Sequence, residues 1–316
     1  MSLKWLRNYR LKVQSLEDGI DIVIESPITL QFSIVRNRMA SLNSANFAIY
    51  NLARETYKDI FQDRFGYYQG VNGQLAYRRV TLEVGYGGEY FEIFRGNLFQ
   101  ARTQRQGSNL ITLIDARDGG FDTATTKTFQ TYAGGSVRGL LLNLIGEFPN
   151  LNIGAIGEVD GELKRPVTIN ANTWEAIKLY SNNSVFVDME TLHILQPNEV
   201  IQVEGDSANV ETGLAPLISS ATGLLGVPRK EDAYITVDTL LEPRIVMGQY
   251  VKLESDILPV FNGVYAVVSV KHEGIISGAV GGECKSTFGL FVTEQYYGKL
   301  KTVKPGIERV NLEAPQ

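Results

Sequence analysis

The chain is poor in the residues from which most catalytic and metal sites are built. Its 316 residues hold one cysteine, Cys284, and two histidines, His193 and His272. A single cysteine excludes an intrachain disulfide and a cluster of thiolate metal ligands. No apolar run reaches the roughly 18 residues of a membrane-spanning helix, so no membrane insertion is expected. The opening stretch, MSLKWLRNYRLKVQ, lacks the apolar centre of a secretory signal, and assembly in a cytoplasm is expected. Basic excess is missing too: 30 Lys and Arg stand against 35 Asp and Glu, a formal charge of −5. That balance tells against nucleic-acid binding, which needs a net basic face. No Gly-x-Ser-x-Gly elbow occurs. The glycines at 85, 87 and 88 and the pair Gly119-Gly120 lack the Lys-Ser/Thr of a phosphate loop. No cofactor is expected.

What is present is material for sheets. Hydrophobic residues make up 44% of the chain and charged residues 21%, enough for real cores and ordinary for a soluble protein. The length suits about two domains, or three small ones. The run from Arg78 to Gly119 sets the pattern. Val80, Leu82 and Val84 alternate with polar residues, a strand period. Strands are expected over 80–86, 90–103 and 109–116, with turns at the glycines 85, 87 and 88 and at Gln106 to Ser108. Before that run, strands are expected over 9–16, 20–25, 28–36 and 46–52, with a hairpin turn at Asp18-Gly19. A short helix should follow Asn51, its cap, with Tyr57, Ile60, Phe61 and Phe65 on one face and Gly66 at its end. Residues 67–77 read as an exposed loop.

The middle of the chain changes character. Residues 121–134, rich in Thr and Gly, read as a linker. Val137, Leu140, Leu141, Leu144, Ile145 and Phe148 recur at helical spacing, and Pro149 stops that helix. Gly139 within it costs about 1 kcal/mol relative to Ala, so tertiary packing must hold it. A second helix is expected over 173–180, with Asn172 and Glu175 resembling a capping box. A hairpin follows, Ser184 to Met189 and Leu192 to Leu195, with its turn near Glu190-Thr191. Further strands are expected over 234–240, 250–255, 264–271 and 285–292. The expected fold is therefore mainly β with an α+β insert: two related antiparallel β-barrels flanking a small α+β domain. The boundaries are 1–118, 119–210 and 211–292, with 293–316 an extended C-terminal tail on the surface or on a partner.

The two β segments echo each other. Phe94-Arg95-Gly96 is followed by Gly107 eleven residues after Gly96, and Phe261-Asn262-Gly263 by Gly274 at the same interval. Each follows a strand with Val-x-Leu, Val80 and Leu82 or Val251 and Leu253. On this reading Gly96, Gly107, Gly263 and Gly274 are structural turn positions, and Gly96 and Gly263 are equivalent. Chance likeness between β-hairpins is the competing reading. A chain with two similar units offers six around a threefold axis, which would match a hexameric ring.

Candidate chemistry is thin. His193 sits in an apolar strand and His272 at a strand end, in different expected domains, so a shared metal site is not expected. Glu147, Glu158, Asp160 and Glu162 read as solvated loop charge, not as a glycosidase pair. Tyr67, Tyr68, Tyr296 and Tyr297 are candidate protein contacts, with partial burial as the alternative.

The stretches NFAIYNLARETYKDIF, RRVTLEVGYGG, IFRGNLFQAR and LITLIDARDG resemble, in order, the N-terminal part of bacteriophage tail baseplate hub proteins. That contractile-tail hub family is related to the hub module of type VI secretion spike proteins. GLLGVPRKEDAYITVDTLLEPRIVMGQYVKLES and YAVVSVKHEG resemble its second barrel. The resemblance covers about two thirds of the chain and transfers no catalytic residues. It implies a homotrimer whose paired barrels form a pseudo-sixfold ring joining a hexameric tail tube to a trimeric spike or needle. Implied partners are further copies of this chain, the tube protein, the spike and other baseplate proteins, with DNA passing through the lumen without specific binding, all within a virion. The chain ends at Gln316 with no oligonucleotide-binding-type barrel, β-helix or lysozyme domain, so a separate spike protein is expected. The alternatives are a tail-associated cell-wall-degrading enzyme and a carbohydrate-binding module. The first lacks a plausible acid and nucleophile. The second needs an exposed cluster of aromatics.

Overall fold

The computed structural model describes residues 6–15, 19–39, 42–65, 77–202, 215–278, 282–293 and 297–305. The N-terminal part supplies β1 (Arg7–Gln14), β2 (Asp21–Glu25), β3 (Leu30–Asn37), β4 (Ser44–Tyr50), β5 (Arg79–Tyr86), β6 (Phe91–Gln106) and β7 (Asn109–Arg117). The middle carries β8 (Lys127–Tyr132), β9 (Gly135–Ser136), β10 (Asn152–Ile156), β11 (Glu162–Leu163), β12 (Val167–Asn172), β13 (Val185–Asp188), β14 (Thr191–Ile194) and β15 (Glu199–Ile201). The C-terminal part adds β16 (Leu217–Ser219), β17 (Leu224–Glu231), β18 (Tyr234–Leu240), β19 (Tyr250–Glu254), β20 (Gly263–Ile276), β21 (Cys284–Phe291) and β22 (Lys301–Val303).

Alternation of apolar and polar residues builds these strands and buries one face. In β3, Leu30, Phe32, Ile34 and Arg36 point inward, and in β18, Ile235, Val237 and Thr239 do. The sheet does not close among the described residues. Among the described residues, one sheet of 13 strands runs β17-β18-β21-β20-β3-β4-β7-β6-β5-β1-β2, with β19 and β16 branching from β20. Both β halves thus share one open sheet, where two barrels were expected. The link is β3, which pairs with β4 on one side and with β20 on the other.

Three large apolar clusters lie under these layers, beside a small one of Val200, Tyr250 and Ala266. The first gathers β1–β7 residues such as Leu11, Phe47, Leu82 and Phe94, with Ile276 and Cys284 from the far end of the chain. The second belongs to the middle segment and packs Leu140, Leu141, Leu144 and Ile145 against Trp174, Ile177, Val187 and Leu192. The third joins Phe186 and Leu195 of the middle segment to Ile235, Val251, Val270 and Phe288.

The helices differ from expectation in instructive ways. The first spans only Arg54–Ile60, and Ala53, not Asn51, precedes it. Asn51 instead takes a positive φ of 58° and bonds across to Asn109 and Leu110 of β7. Ile60 alone of the expected face is fully buried, while Phe61 and Phe65 are exposed. The helix Val137–Gly146 is capped by Ser136, whose Oγ accepts from Gly139 N. The helix Thr173–Tyr180 is capped by Asn172, whose Oδ1 accepts from Glu175 N. The Thr-rich linker is structured: a turn of helix, Gly120–Thr125, leads into β8, which pairs with β12. Threonine hydroxyls donate back to carbonyls there, Thr123 to Gly119 and Thr125 to Phe121. Composition hid this, because β-branched Thr serves in strands as readily as in loops. The part of the expected tail that is described folds onto the chain itself. β22 pairs in parallel with β15, and Pro305 bridges to Ala155.

Candidate assembly surface

Two four-stranded units repeat within the sheet, and their pairing can be compared residue by residue. In the first, β4-β7-β6-β5, the register pairs Phe47 with Ile114, Ala101 with Ile114 and Val80 with Gly96. In the second, β18-β21-β20-β19, it pairs Val237 with Phe288, Val270 with Phe288 and Val251 with Tyr265. Each long strand carries a register shift against its partner, between Leu98 and Gln100 in β6 and between Val267 and Ser269 in β20. Aligning the two bulges brings all four strands into correspondence. Val80 then matches Val251, Leu82 matches Leu253, Ala101 matches Val270 and Ile114 matches Phe288. Bulges are built features that pin register, so a shared bulge is stronger than a shared strand pattern.

Side chains follow the same correspondence. Thr103 and Thr112 share a hydrogen bond of 2.9 Å across β6 and β7. Their matches, His272 and Ser286, share one of 2.8 Å across β20 and β21. The outer strands agree as well. Tyr50 N donates to Thr29 O where β4 meets the start of β3, and Leu240 N donates to Gly223 O where β18 meets the start of β17. β17 departs only through an irregularity between Leu225 and Arg229.

The glycines of the sequence echo sit differently. Gly107, at φ 62°, lies in the β6-β7 turn. Gly96, Gly263 and Gly274 lie within strands. Gly96 faces Val80, whereas Gly263 faces Leu253. The Val-x-Leu half of the echo is therefore in step and the Phe-x-Gly half is two residues out of step. Gly96 is needed for close approach: a Cβ there would lie 2.7 Å from Arg117 O. Gly274 is crowded by Cys284, with Sγ 2.4 Å from a built Cβ. Of the candidate tyrosines, Tyr67, Tyr68 and Tyr296 lie outside the described residues. Tyr297 is half exposed, its ring 5.8 Å from that of Phe291.

The two histidines are engaged in structure. His193 is buried; its Nδ1 accepts from Ala155 N, and its ring stacks on Phe186 at 5.1 Å. Burial, aided by the Arg38 charge, pushes its pKa down to about 3. His272 is buried and its pKa is likewise lowered well below the usual histidine value, by burial first and Arg36 second. No group of three metal-capable side chains occurs among the described residues. Glu147, Glu158, Asp160 and Glu162 are all exposed, and Glu158 pairs with Lys301 at 2.9 Å. No described helix is long and apolar enough to cross a membrane.

Buried charges instead tie the middle segment to the sheet, and nothing in local sequence marks them. Arg36 of β3, 1% exposed, donates through one nitrogen to both oxygens of Asp188 in β13, at 3.2 and 3.3 Å. Asp118, just after β7, accepts from Met189 N at 2.6 Å and Glu190 N at 2.8 Å. These two residues form the tight β13-β14 turn at positive φ, 51° and 57°, a conformation that non-glycine residues adopt only with support. Burial, with the Asp188 charge beside it, pushes the Asp118 carboxyl up to about 8. Arg38 donates to the carbonyls of Glu199 and Gln196, both at 3.0 Å.

Comparison with known proteins places this architecture. No curated protein matches in sequence. The fold is similar to the 43 kDa tail protein of prophage MuSo2 from Shewanella oneidensis, at 11% identity and TM-score 0.55, covering 90% of this chain and 98% of that one. It is also similar to a tail protein from Neisseria meningitidis MC58, at 12% identity and TM-score 0.51, covering 90% and 96%. A third likeness is to the E. coli c3393 protein, a component of the type VI secretion system, at 10% identity and TM-score 0.50, covering 89% and 76%. Such identities establish the fold alone. The family model described as "Baseplate hub gp41" matches residues 10–274. The chain therefore belongs to that baseplate hub family, and it is a structural component of a phage tail.

Proposed function

We propose that this chain is the homotrimeric hub of a tail baseplate, a pseudo-sixfold adaptor between the hexameric tail tube and the trimeric central spike. The carrying observation is the four-stranded unit that recurs with the same strand order, register and bulge. Two equivalent units per chain give three chains the six repeats that a sixfold tube presents, while the ring keeps the threefold symmetry of a spike. On this reading residues 1–118 and 211–292 are the ring-forming domains. Residues 119–210 form the insert, and 293–316 the tail, docked through β22. The lumen carries DNA, and a chain of net charge −5 does not hold it by basic contacts. Tyr67, Tyr68, Tyr296 and Tyr297 are proposed contacts to neighbouring subunits or to other baseplate proteins.

The work of such a hub is pairing and stacking, so no catalytic residue is proposed. Light scattering of the purified full chain over a wide concentration range tests the reading. A mass of three chains supports it. A monomer throughout, or a tail containing six copies per ring in electron micrographs, overturns it.

A further inference from the structure

The repeat has unequal edges, and the inequality names a partner. In the second unit, the latter half of β20 is covered by β3, the strand flanking β4 of the first unit, from Ser269 opposite Asn37 to Ile276 opposite Leu30. The matching half of β6 begins at Gln100, the match of Ser269, and runs to the end of the strand at Gln106. There, Gln62 takes only the position of Ala101, the match of Val270, trading backbone bonds with it at 3.1 and 2.8 Å. Beyond Ala101, no strand pairs with this side of β6 among the described residues. The strand that matches β3 in the second unit is β17, which lies at the end of the sheet path with its outer side unpaired among the described residues. One chain thus carries one satisfied junction of the kind β3 on β20. It also carries the two separate halves of a second.

We infer that β17 of one copy pairs antiparallel with Arg102–Gln104 of β6 in the next copy, repeating between chains the junction that β3 and β20 make within one. The inference rests on the trimeric reading and specifies the contact that closes its ring. Register follows from the internal template. Lys271 faces Val35 and His272 faces Ile34. Carried over, Arg102 faces Glu231 of the next copy, Thr103 faces Lys230, and Gln104 faces Arg229. Both sides have the right backbone polarity. Ala101 directs its N–H and C=O away from β7, toward Gln62, so Thr103, two residues on, does the same. The pairs Arg102–Glu231 and Gln104–Arg229 are then the non-bonded kind, with side chains closest together.

Charge agrees with this register. Arg102 and Glu231 are both exposed and opposite in sign, a pairing that stabilises neighbours across strands, whereas like charges would oppose it. Leu225 and Val227 on the same strand, 40% and 38% exposed, lie beside the contact. The pairing is short, because the irregularity after Leu225 and the proline at 228 end the match. The same bulge, proline and charges would blunt this edge in a monomer, and that is the competing outcome. The contact is head-to-tail, so it must close as a ring to avoid a filament.

The test is disulfide trapping in the full chain carrying Arg102→Cys and Glu231→Cys. Non-bonded antiparallel partners stand about 4.5 Å apart between Cα atoms, inside the range a disulfide spans. Both positions are exposed, so folding should survive, and circular dichroism checks this. Cys284 is buried, and each single variant controls for its participation. The expected result on oxidation is a ladder that ends at three chains. The pair Gln104→Cys with Glu231→Cys, two residues out of register, should give little product. Trimers in light scattering with no selective cross-link would overturn the pairing and leave the trimer standing. Monomers throughout would overturn both, and a ladder running past three would overturn closure. As a second arm, Arg102→Glu should weaken the trimer and Glu231→Lys added to it should restore it. Failure of that rescue in a folded protein counts against the register.

Discussion

Breaking the Arg36–Asp188 pair from one side should do far more harm than replacing both partners. The pair joins β3, the strand shared by the two β halves, to β13 of the insert. Arg36 is 1% exposed, and its Nε and Nη2 have no hydrogen-bond partner among the described residues. Asp188→Ala would leave a guanidinium buried and unpaired. Arginine cannot shed its proton at accessible pH, and the expected loss is about 3–5 kcal/mol of stability. Arg36→Met leaves a carboxyl that can take up a proton, so its cost should be smaller. Asp188 is already raised by burial against the opposing pull of Arg36, and removing Arg36 raises it further. A carboxyl raised in the folded state destabilises as pH climbs above its unfolded value, up to the folded one. The Arg36→Met penalty should therefore grow as pH rises above the ordinary carboxylate value of about 4. Replacing both, Arg36→Met with Asp188→Leu, should be near neutral, because apolar pairs often match buried ion pairs. Urea unfolding of the three variants and the parent, at pH 5 and pH 8, completes the cycle. If Asp188→Ala cost less than Arg36→Met, or if the double variant were the worst, the argument would fail.

Other consequences can be checked on the same material. Gly96→Ala should cost about 1–3 kcal/mol of unfolding free energy by overpacking, because the new Cβ meets the Arg117 and Asp118 backbone at 2.7–2.9 Å. Gly263→Ala should cost less, since its Cβ meets only the movable end of Tyr265 at 3.2 Å; equal costs would restore the equivalence of the two glycines. Asp118, held at about 8 against an ordinary 3.8, favours the fold most at low pH and loses that contribution as pH rises between those values. Thermal melts of the parent should show this decline relative to Asp118→Ala, which should also be less stable at every pH through loss of two turn bonds. His193, lowered to about 3, acts oppositely: stability should fall as pH drops below about 6.5, and His193→Gln should flatten that limb of the profile. Truncation before Lys301 removes β22 and should increase hydrogen exchange at β15 while leaving β4–β7 unchanged.

Much of the fold is legible because its strands are locally written. The expectations for 80–86, 109–116 and 234–240 fall within a residue of β5, β7 and β18, since alternation in a one-sided sheet is a property of the segment itself. Glycine was the poorer guide. The stretch from Gly274 reads as a turn, yet β20 continues through it to Ile276, because Gly274 is present for close approach to Cys284 and not for positive φ. The expected cap of the short helix, which does form over Arg54–Ile60, fails for a related reason. Asn51 is a good cap in isolation, but its side chain is taken by Asn109 and Leu110 of β7, a partner 58 residues away.

The assembly surface illustrates a harder limit. The β6 half falls partly in an expected strand, 90–103, whereas β17, Leu224–Glu231, precedes the first strand expected in that part of the chain, 234–240. The Val-x-Leu echo pairs β5 with β19, as the bulge alignment does. The link between the units was not visible, because β3 and β20 meet across more than 230 residues, and nothing in LQFSIVRN distinguishes a strand with two neighbours from a strand with one. Burial on both edges is a tertiary property. Once the internal junction is known, however, it converts two ordinary stretches into a specific expectation. VPRKE at the end of β17 looks like a blunted edge, with a proline, a bulge and three charges, and RTQ in β6 looks like a polar hairpin arm. Placed in the register of β3 on β20, the glutamate of one meets the arginine of the other, with threonine and lysine in the bonded position. A sheet edge blunted only against solvent has no reason to complement that distant arm in sign at the position an internal repeat selects. That coincidence is what the Arg102→Glu and Glu231→Lys rescue measures.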